Sequence, residues 1–241
     1  VALYVSGQIL TEDYYVANKL MKGFVGSANI DTNSRLCMAS SVAGHKRAFG
    51  SDTVPGCYED LERADLVVMV GSNLAWCHPV LHNRIVAARE KRGTRLVIID
   101  PRKTATTDAA DLHLPIRPGA DVLLFNALFA HLAASDAHDT SFVNAHTKGL
   151  DAALDASGPL GLAELSIATA LPKSDLRTFF QWVEQTPATV TIYSQGVNQS
   201  SAGSDKVNAI INCHLVTGRI GKPGCGPFSV TGQPNAMGGR E

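Results

Sequence analysis

Cysteine is scarce. Five occur in 241 residues, at 37, 57, 77, 213 and 225, an odd number with no C-x-x-C pair. In a chain this long, that excludes a disulfide framework and leaves no zinc-ribbon or iron–sulfur ligand set. Charge of either sign is not in excess: 21 basic residues face 22 acidic ones, for a net −1. That argues against a nucleic-acid surface or a polybasic membrane patch. Long apolar runs are missing too; LVVMV at 66–70 and LVII at 96–99 are far too short to span a bilayer. Neither G-x-G-x-x-G nor a Walker lysine motif occurs, so an NAD-dependent dehydrogenase lacks its glycine fingerprint. An initiator Met and a signal-like stretch are also absent. The opening VALYVSG reads as the interior of a strand and GGRE as an arbitrary stop, as expected of a piece of a longer polypeptide.

What is present is strand–helix alternation. The length suffices for one large α/β domain or two small ones with an unstapled core. LVVMV, RLVIID, LHLPI and ATVTIYS are apolar strands, and VALYV is another. Helices are expected over 12–22, through CMASSVAGHKRAF, near YEDLERAD, from Pro79 to Arg92, over 121–134, 173–185 and 205–217, with short ones filling 139–170. Pro79 suits a first turn and Gly93 a C-terminal cap. Apolar strands alternating with helices predict doubly wound, mostly parallel sheets with helices on both faces, an α/β fold. The Gly/Pro-rich tail from Thr217 has no periodicity and reads as an ordered loop.

Four loops follow apolar strands: SGQ at 6–8, GSN at 71–73, DPRKT at 100–104 and QGVNQ at 195–199. Ligands of open α/β sheets bind at such carboxyl ends. Gly71 admits a phosphate close to backbone amides, Asp100 is placed for ribose hydroxyls, and Asp121 in PGAD can accept two N–H bonds from guanine. Together they suggest a nucleotide-containing cofactor, although each loop alone is also ordinary turn chemistry. Cys37, in NSRLCM, is either a small buried residue or a thiol activated by a helix N-terminus and Arg35. His78 reads as a capping residue ahead of Pro79.

Taken together and in order, SGQ, NIDTNSRLCMASSVAG, PGCYEDLERAD, GSNLAWCHPVLHNRI, IRPGAD, QGVNQ and TGRIGKPGCGPFSVTGQPNAMGGRE resemble the large catalytic subunit of prokaryotic molybdenum nitrate reductases of assimilatory type, in the dimethyl sulfoxide reductase superfamily. The resemblance covers nearly the whole chain and is weakest over 125–190. It implies molybdenum carried by two molybdopterin guanine dinucleotides, with Cys37 adding a soft thiolate to four dithiolene sulfurs. Nitrate would lose an oxygen atom to give nitrite. Met38 would shape and dry the pocket, and Arg35 would draw in the anion if it faces the pocket. By the same matches Gln8, Asn33, Val70, Gly71, Ser72, Asn73, Cys77, Asp100, Arg102, Thr104, Gly119, Asp121, Gln195 and Gln199 are expected to contact the cofactors. The family's [4Fe–4S] cysteine motif and C-terminal pterin-binding domain are not in this chain, so the cluster is expected elsewhere in the full-length protein. Two discontinuous domains are implied, 1–32 with 190–241, and 33–189 inserted.

The closest rival is a formate dehydrogenase of the same superfamily, in which a histidine typically follows the metal-binding residue; here Met38 follows Cys37. A second is a metal-free structural subunit with the same fold. AWCHPV points to a cytoplasmic enzyme. The electron donor would be a ferredoxin, a flavodoxin or an NADH-linked subunit, with no membrane or nucleic-acid partner.

Overall fold

A computed structural model describes residues 1–7, 9–158 and 160–232, apart from the side chains of Ser34 and Arg35. The chain opens with β1 (Leu3–Val5), α1 (Thr11–Asn18) extended by a π-helical stretch over Lys19–Val25, and β2 (Ile30–Thr32). β1 and β2 pair in parallel as a two-stranded sheet. Helices α2 (Ser34–Cys37), α3 (Ala39–Phe49) and α4 (Tyr58–Arg63) lead to β3 (Leu66–Val70). Then come α5 (Leu74–Cys77), α6 (Pro79–Arg92), β4 (Arg95–Ile99), a 3-10 turn over Ala105–Ala109 and β5 (Leu112–Leu114). Five helices follow: α7 (Asp121–Ala133), α8 (Thr140–His146), α9 (Leu150–Ser157), α10 (Leu162–Thr169) and α11 (Lys173–Gln185). Strand β6 (Thr189–Tyr193), helices α12 (Gln195–Asn198) and α13 (Gly203–Val216), and strand β7 (Gly226–Ser229) complete it.

The main sheet is all parallel, in the order β5-β4-β3-β6-β7. Every residue of β3 and β6 is buried, because helices cover both faces. Leu66, Val68 and Val70 pack with α7, α11 and α13 on one side, and Val67 and Met69 with Leu61, Leu81 and Ile85 on the other. The α/β reading of the sequence therefore stands. So do the bounds of α6, with Pro79 in its first turn and Gly93 as its C-cap.

Three expectations need correction. The helix read as continuous from Cys37 breaks at Met38 (φ −110°, ψ 13°) into α2 and α3. Part of the tail read as a loop is β7, an edge strand, where Pro227 is tolerated because one side of the strand is unpaired. Two buried side chains anchor it. Asp60 accepts from the backbone N–H of Gly224 at 2.9 Å. Arg219 donates to the carbonyls of Val183 and Thr186 at the end of α11 and of Pro187, at 2.6, 2.9 and 3.1 Å; burial lowers its pKa to about 10, so it stays charged at neutral pH. Third, His78 does occupy the N-cap of α6, as read, but its side chain makes no capping bond; its Nε2 meets the Thr231 carbonyl at 2.6 Å. β6 is hydrogen-bonded to β3 along its whole length, so residues 189–229 share a sheet with 66–114.

Candidate functional site

The strand order reverses between β3 and β6. From β3 the chain winds outward to β4 and β5, then returns to place β6 and β7 on the other side. Such a switch point opens a crevice at the carboxyl ends of the strands. Here the two backbones leaving β3 and β6 touch. Gly196 N donates to Gly71 O at 3.0 Å. A Cβ at Gly71 would lie 2.6 Å from Gly196 Cα, and one at Gly196 would lie 2.5 Å from Gly71 Cα. Gly71 also has φ +53°. Only glycine fits both positions, and the result is a bare backbone floor.

Above it lies a cavity of about 700 Å³. Of the expected residues, Cys37, Gly71, Asn73, Cys77, Asp100, Arg102, Gly119, Asp121, Gln195 and Gln199 line it. Others sit apart. Val70 is a core side chain, and Ser72 is buried. Asn33 Oδ1 accepts from Gly7 N at 2.6 Å, holding together the loops that leave β1 and β2. Thr104 starts the 3-10 turn, with a buried hydroxyl that has no partner among the described residues. Gln8 and the side chain of Arg35 lie outside the described residues, as do 233–241.

Around Cys37 the side chains converge. Gln195 Nε2 donates to Cys37 Sγ at 3.0 Å and Gln199 Nε2 at 3.4 Å. Asn198 Nδ2 donates to the Cys37 carbonyl at 3.0 Å and faces Met38 Sδ at 3.5 Å. Ser194 Oγ donates to Gln195 Oε1 at 2.6 Å, which fixes that amide with its NH₂ toward the sulfur. Cys37 ends α2, and Met38, the N-cap of α3, follows it. On the opposite wall Asp100 accepts from Arg102 N at 2.8 Å, and His113 meets the Asp100 carbonyl at 2.9 Å.

Sequence reasoning missed several residues. Thr106, fully buried, donates to Asn73 Oδ1 at 2.8 Å and accepts from Ala75 N at 3.1 Å; this leaves the Asn73 NH₂ for the cavity. Ser194 and Asn198 flank the expected glutamines. Lys206 of α13 is 4% exposed and pairs with Asp121 at 2.8 Å. A signal was there: Lys206 shares a helix face with Ile210 and lies beside Val207, both core residues. A charge in that stripe must have a buried partner.

Among the described residues, no three His, Cys, Asp or Glu side chains gather as a metal cage, and no helix is long and apolar enough to cross a membrane.

Comparison with known proteins gives the setting. The sequence profile of the family described as "Molybdopterin oxidoreductase" matches residues 1–240. A nitrate reductase of Shewanella frigidimarina is 55% identical over 243 residues, covering 100% of this chain and 26% of that protein. A periplasmic nitrate reductase of Desulfovibrio desulfuricans is 38% identical, covering 99% of this chain and 33% of that protein. Among solved structures, acetylene hydratase from Pelobacter acetylenicus superposes with a TM-score of 0.70 at 21% identity, over 90% of this chain and 29% of that one, which speaks for the fold alone. The chain thus spans between a quarter and a third of the length of these relatives. It belongs to the molybdopterin oxidoreductase family. The cytoplasmic assignment drawn from AWCHPV does not stand, since a periplasmic enzyme aligns along 99% of the chain.

Membership implies a molybdenum–molybdopterin group, and the cavity suits one. A soft sulfur donor stands at one side, a glycine floor lets backbone amides reach phosphate, and Arg102 and Lys206 carry positive charge.

Proposed function

We propose that this chain, as a molybdopterin oxidoreductase, forms the part of a nitrate reductase catalytic subunit that holds the metal ligand and much of a bis(molybdopterin guanine dinucleotide) site. The observation that carries the reading is the cluster at Cys37: one thiol, two amide donors on its sulfur, and a thioether beside it, opening onto a cavity with a backbone floor. When bound, the molybdenum–pterin group supplies the two-electron reduction that turns nitrate and two protons into nitrite and water. The chain's own residues do the rest. Cys37 offers its thiolate to the metal. Gln195 and Gln199 hold that sulfur in one rotamer through N–H···S bonds, and Ser194 locks the nearer amide.

Met38, beside Cys37 but not among the residues lining the cavity, brings no exchangeable proton, in contrast to the imidazole that a formate-oxidising site would use as a base. Asn73, turned by Thr106, presents an NH₂ to a phosphate or pterin acceptor. Asp100 accepts from ribose hydroxyls and Asp121 from guanine. Electrons come from a donor outside this chain, through an iron–sulfur cluster that is likewise outside it. The division of the chain that agrees with the strand pairing falls near residue 33: 33–232 close around the main sheet, and 1–32 join residues elsewhere in the full-length protein.

Cys37→Ala in the full-length enzyme tests this. Nitrite formation with reduced viologen is expected to fall to background, while thermal unfolding stays within about 2 °C of wild type, since a half-buried thiol contributes little packing. Wild-type turnover in that variant would remove Cys37 from the metal. Dye reduction by formate, with no nitrite formed from nitrate, would move the chain to formate oxidation.

A further inference from the structure

Lys206 has so far counted only as a positive charge on the cavity wall. It lies on the core-facing stripe of α13, with its ammonium 2.8 Å from Asp121 Oδ2. Both side chains are almost wholly buried, and both line the cavity. A buried ion pair is a poor way to gain stability. Desolvating both charges costs several kcal/mol each, and apolar side chains of similar size often do as well. The pair therefore asks for a second use.

Its spare bonding capacity supplies one. An ammonium has three N–H donors and a carboxylate about four acceptor sites. The two groups share one ion-pair contact. Besides the Asp121–Lys206 bond, neither side chain has another polar partner among the described residues. What faces the cavity is then a cationic donor beside an anionic acceptor. That pattern is complementary to one purine edge and opposed to the other. Guanine presents O6, an acceptor, next to the N1–H and N2–H donors. Adenine presents the N6 amine, a donor, next to the N1 acceptor.

We propose that Lys206 donates to the O6 carbonyl of guanine while Asp121 accepts from N1–H and N2–H, so that the pair selects the nucleotide. Lys206 is a specificity residue, and Asp121 without it reads only half of the base. The proposal rests on the guanine role given to Asp121 above. The two parts separate by which atom of the base each side chain reads.

The experiment uses full-length protein made in cells unable to attach the nucleotide to the pterin, titrated with GMP, IMP and AMP. IMP keeps O6 and N1–H and lacks the N2 amine. Wild type is expected to bind GMP over IMP, and IMP over AMP, each by roughly tenfold, the size of a hydrogen bond involving a charged group. Lys206→Met should lower the IMP-to-AMP ratio several-fold, leaving only the part that N1–H on Asp121 supplies, while GMP remains several-fold tighter than IMP. Asp121→Ala should abolish the GMP-over-IMP step. A wild-type IMP-to-AMP ratio in Lys206→Met overturns the role of Lys206 and leaves Asp121 untouched. A GMP-over-IMP step that survives Asp121→Ala removes the guanine reading itself. If Lys206→Met strands a buried carboxylate and does not fold, Asp121→Asn is compared with Asp121→Asn/Lys206→Met. The IMP preference should persist in the first and fall several-fold in the second; equal ratios in both overturn the proposal.

Discussion

The first 32 residues and the five-stranded sheet are both parallel β/α structures, yet they close in different ways. In β3 and β6 every residue is buried. In residues 1–32, Gly7 and Met21 are the buried ones among those described. Phe24 is 78% exposed, Tyr15 66% and Tyr4 63%. A two-stranded sheet with one helix cannot bury both of its faces, and such a unit is marginal alone. The sheet of residues 66–229 recruits helices on both sides and needs no help. The cavity follows this difference. Its floor and most of its walls belong to the closed unit, and Cys37 lies four residues past Asn33, whose side chain holds the end of β1 to the end of β2.

The comparison breaks most visibly in the core. Phe179 is fully buried, edge-on to Phe125 at 6.4 Å between ring centroids. Phe179→Ala in this chain is expected to cost about 3–5 kcal/mol in urea unfolding. A cost below about 1 kcal/mol would mean the closed unit is not tightly packed. Gly71→Ala comes next. Its Cβ meets backbone, which cannot turn aside, at a φ that L residues avoid. We expect a loss of about 3 kcal/mol from strain and overpacking together, along with a distorted cavity floor. Unchanged stability would show that the crossing of the β3 and β6 ends is looser than described.

Acid gives a third contrast. His214 is buried in the closed unit, with Nε2 on Thr191 Oγ1 at 2.8 Å, and burial lowers its pKa to about 3. Burial also lowers His45 and His82. The unfolded chain binds these protons first, near pH 6.5. The stabilisation is therefore complete above about pH 6.5 and is lost as pH falls toward 3, at up to about 1.4 kcal/mol per pH unit for each fully buried histidine. The first 32 residues contain no histidine and add nothing to this slope. Urea midpoints at pH 7, 6 and 5 should fall, and His214→Gln should flatten the decline. An identical slope in the variant would place the acid sensitivity elsewhere.

Much of this was legible in the sequence because burial on both faces leaves an unmistakable run, as in LVVMV, and because caps such as Pro79 and Gly93 mark helix ends. β7 was not, since Gly226 and Pro227 are turn residues by composition; only the pairing with β6 makes them a strand. The cavity-lining glycines and amides follow strands directly, which is where a reader looks first. Lys206, Thr106 and Asn198 act through distant partners. Their sequence neighbours give helix or turn, and a contact such as Lys206 with Asp121, 85 positions apart, has no local signature. The exposed face of residues 1–32 was equally hidden, because an apolar stripe does not say whether its partner lies in the same chain.

The smallest expected effect is the sharpest test of the comparison. Phe24→Ala in this chain should change stability by less than about 0.5 kcal/mol, as for any exposed side chain. In the full-length protein the same substitution should cost about 2–4 kcal/mol, because a phenylalanine covered by neighbouring residues loses its burial and leaves a cavity. The informative quantity is the difference between the two measurements. Packing inside residues 1–32 contributes equally to both and cancels. A cost above about 2 kcal/mol in this chain alone would show that the first sheet closes on itself after all. A value near zero in both would show that its apolar face meets water in the whole protein, and the division near residue 33 would then lose its physical basis. Only a small cost here with a large one there means that residues outside the chain complete what β1, α1 and β2 begin.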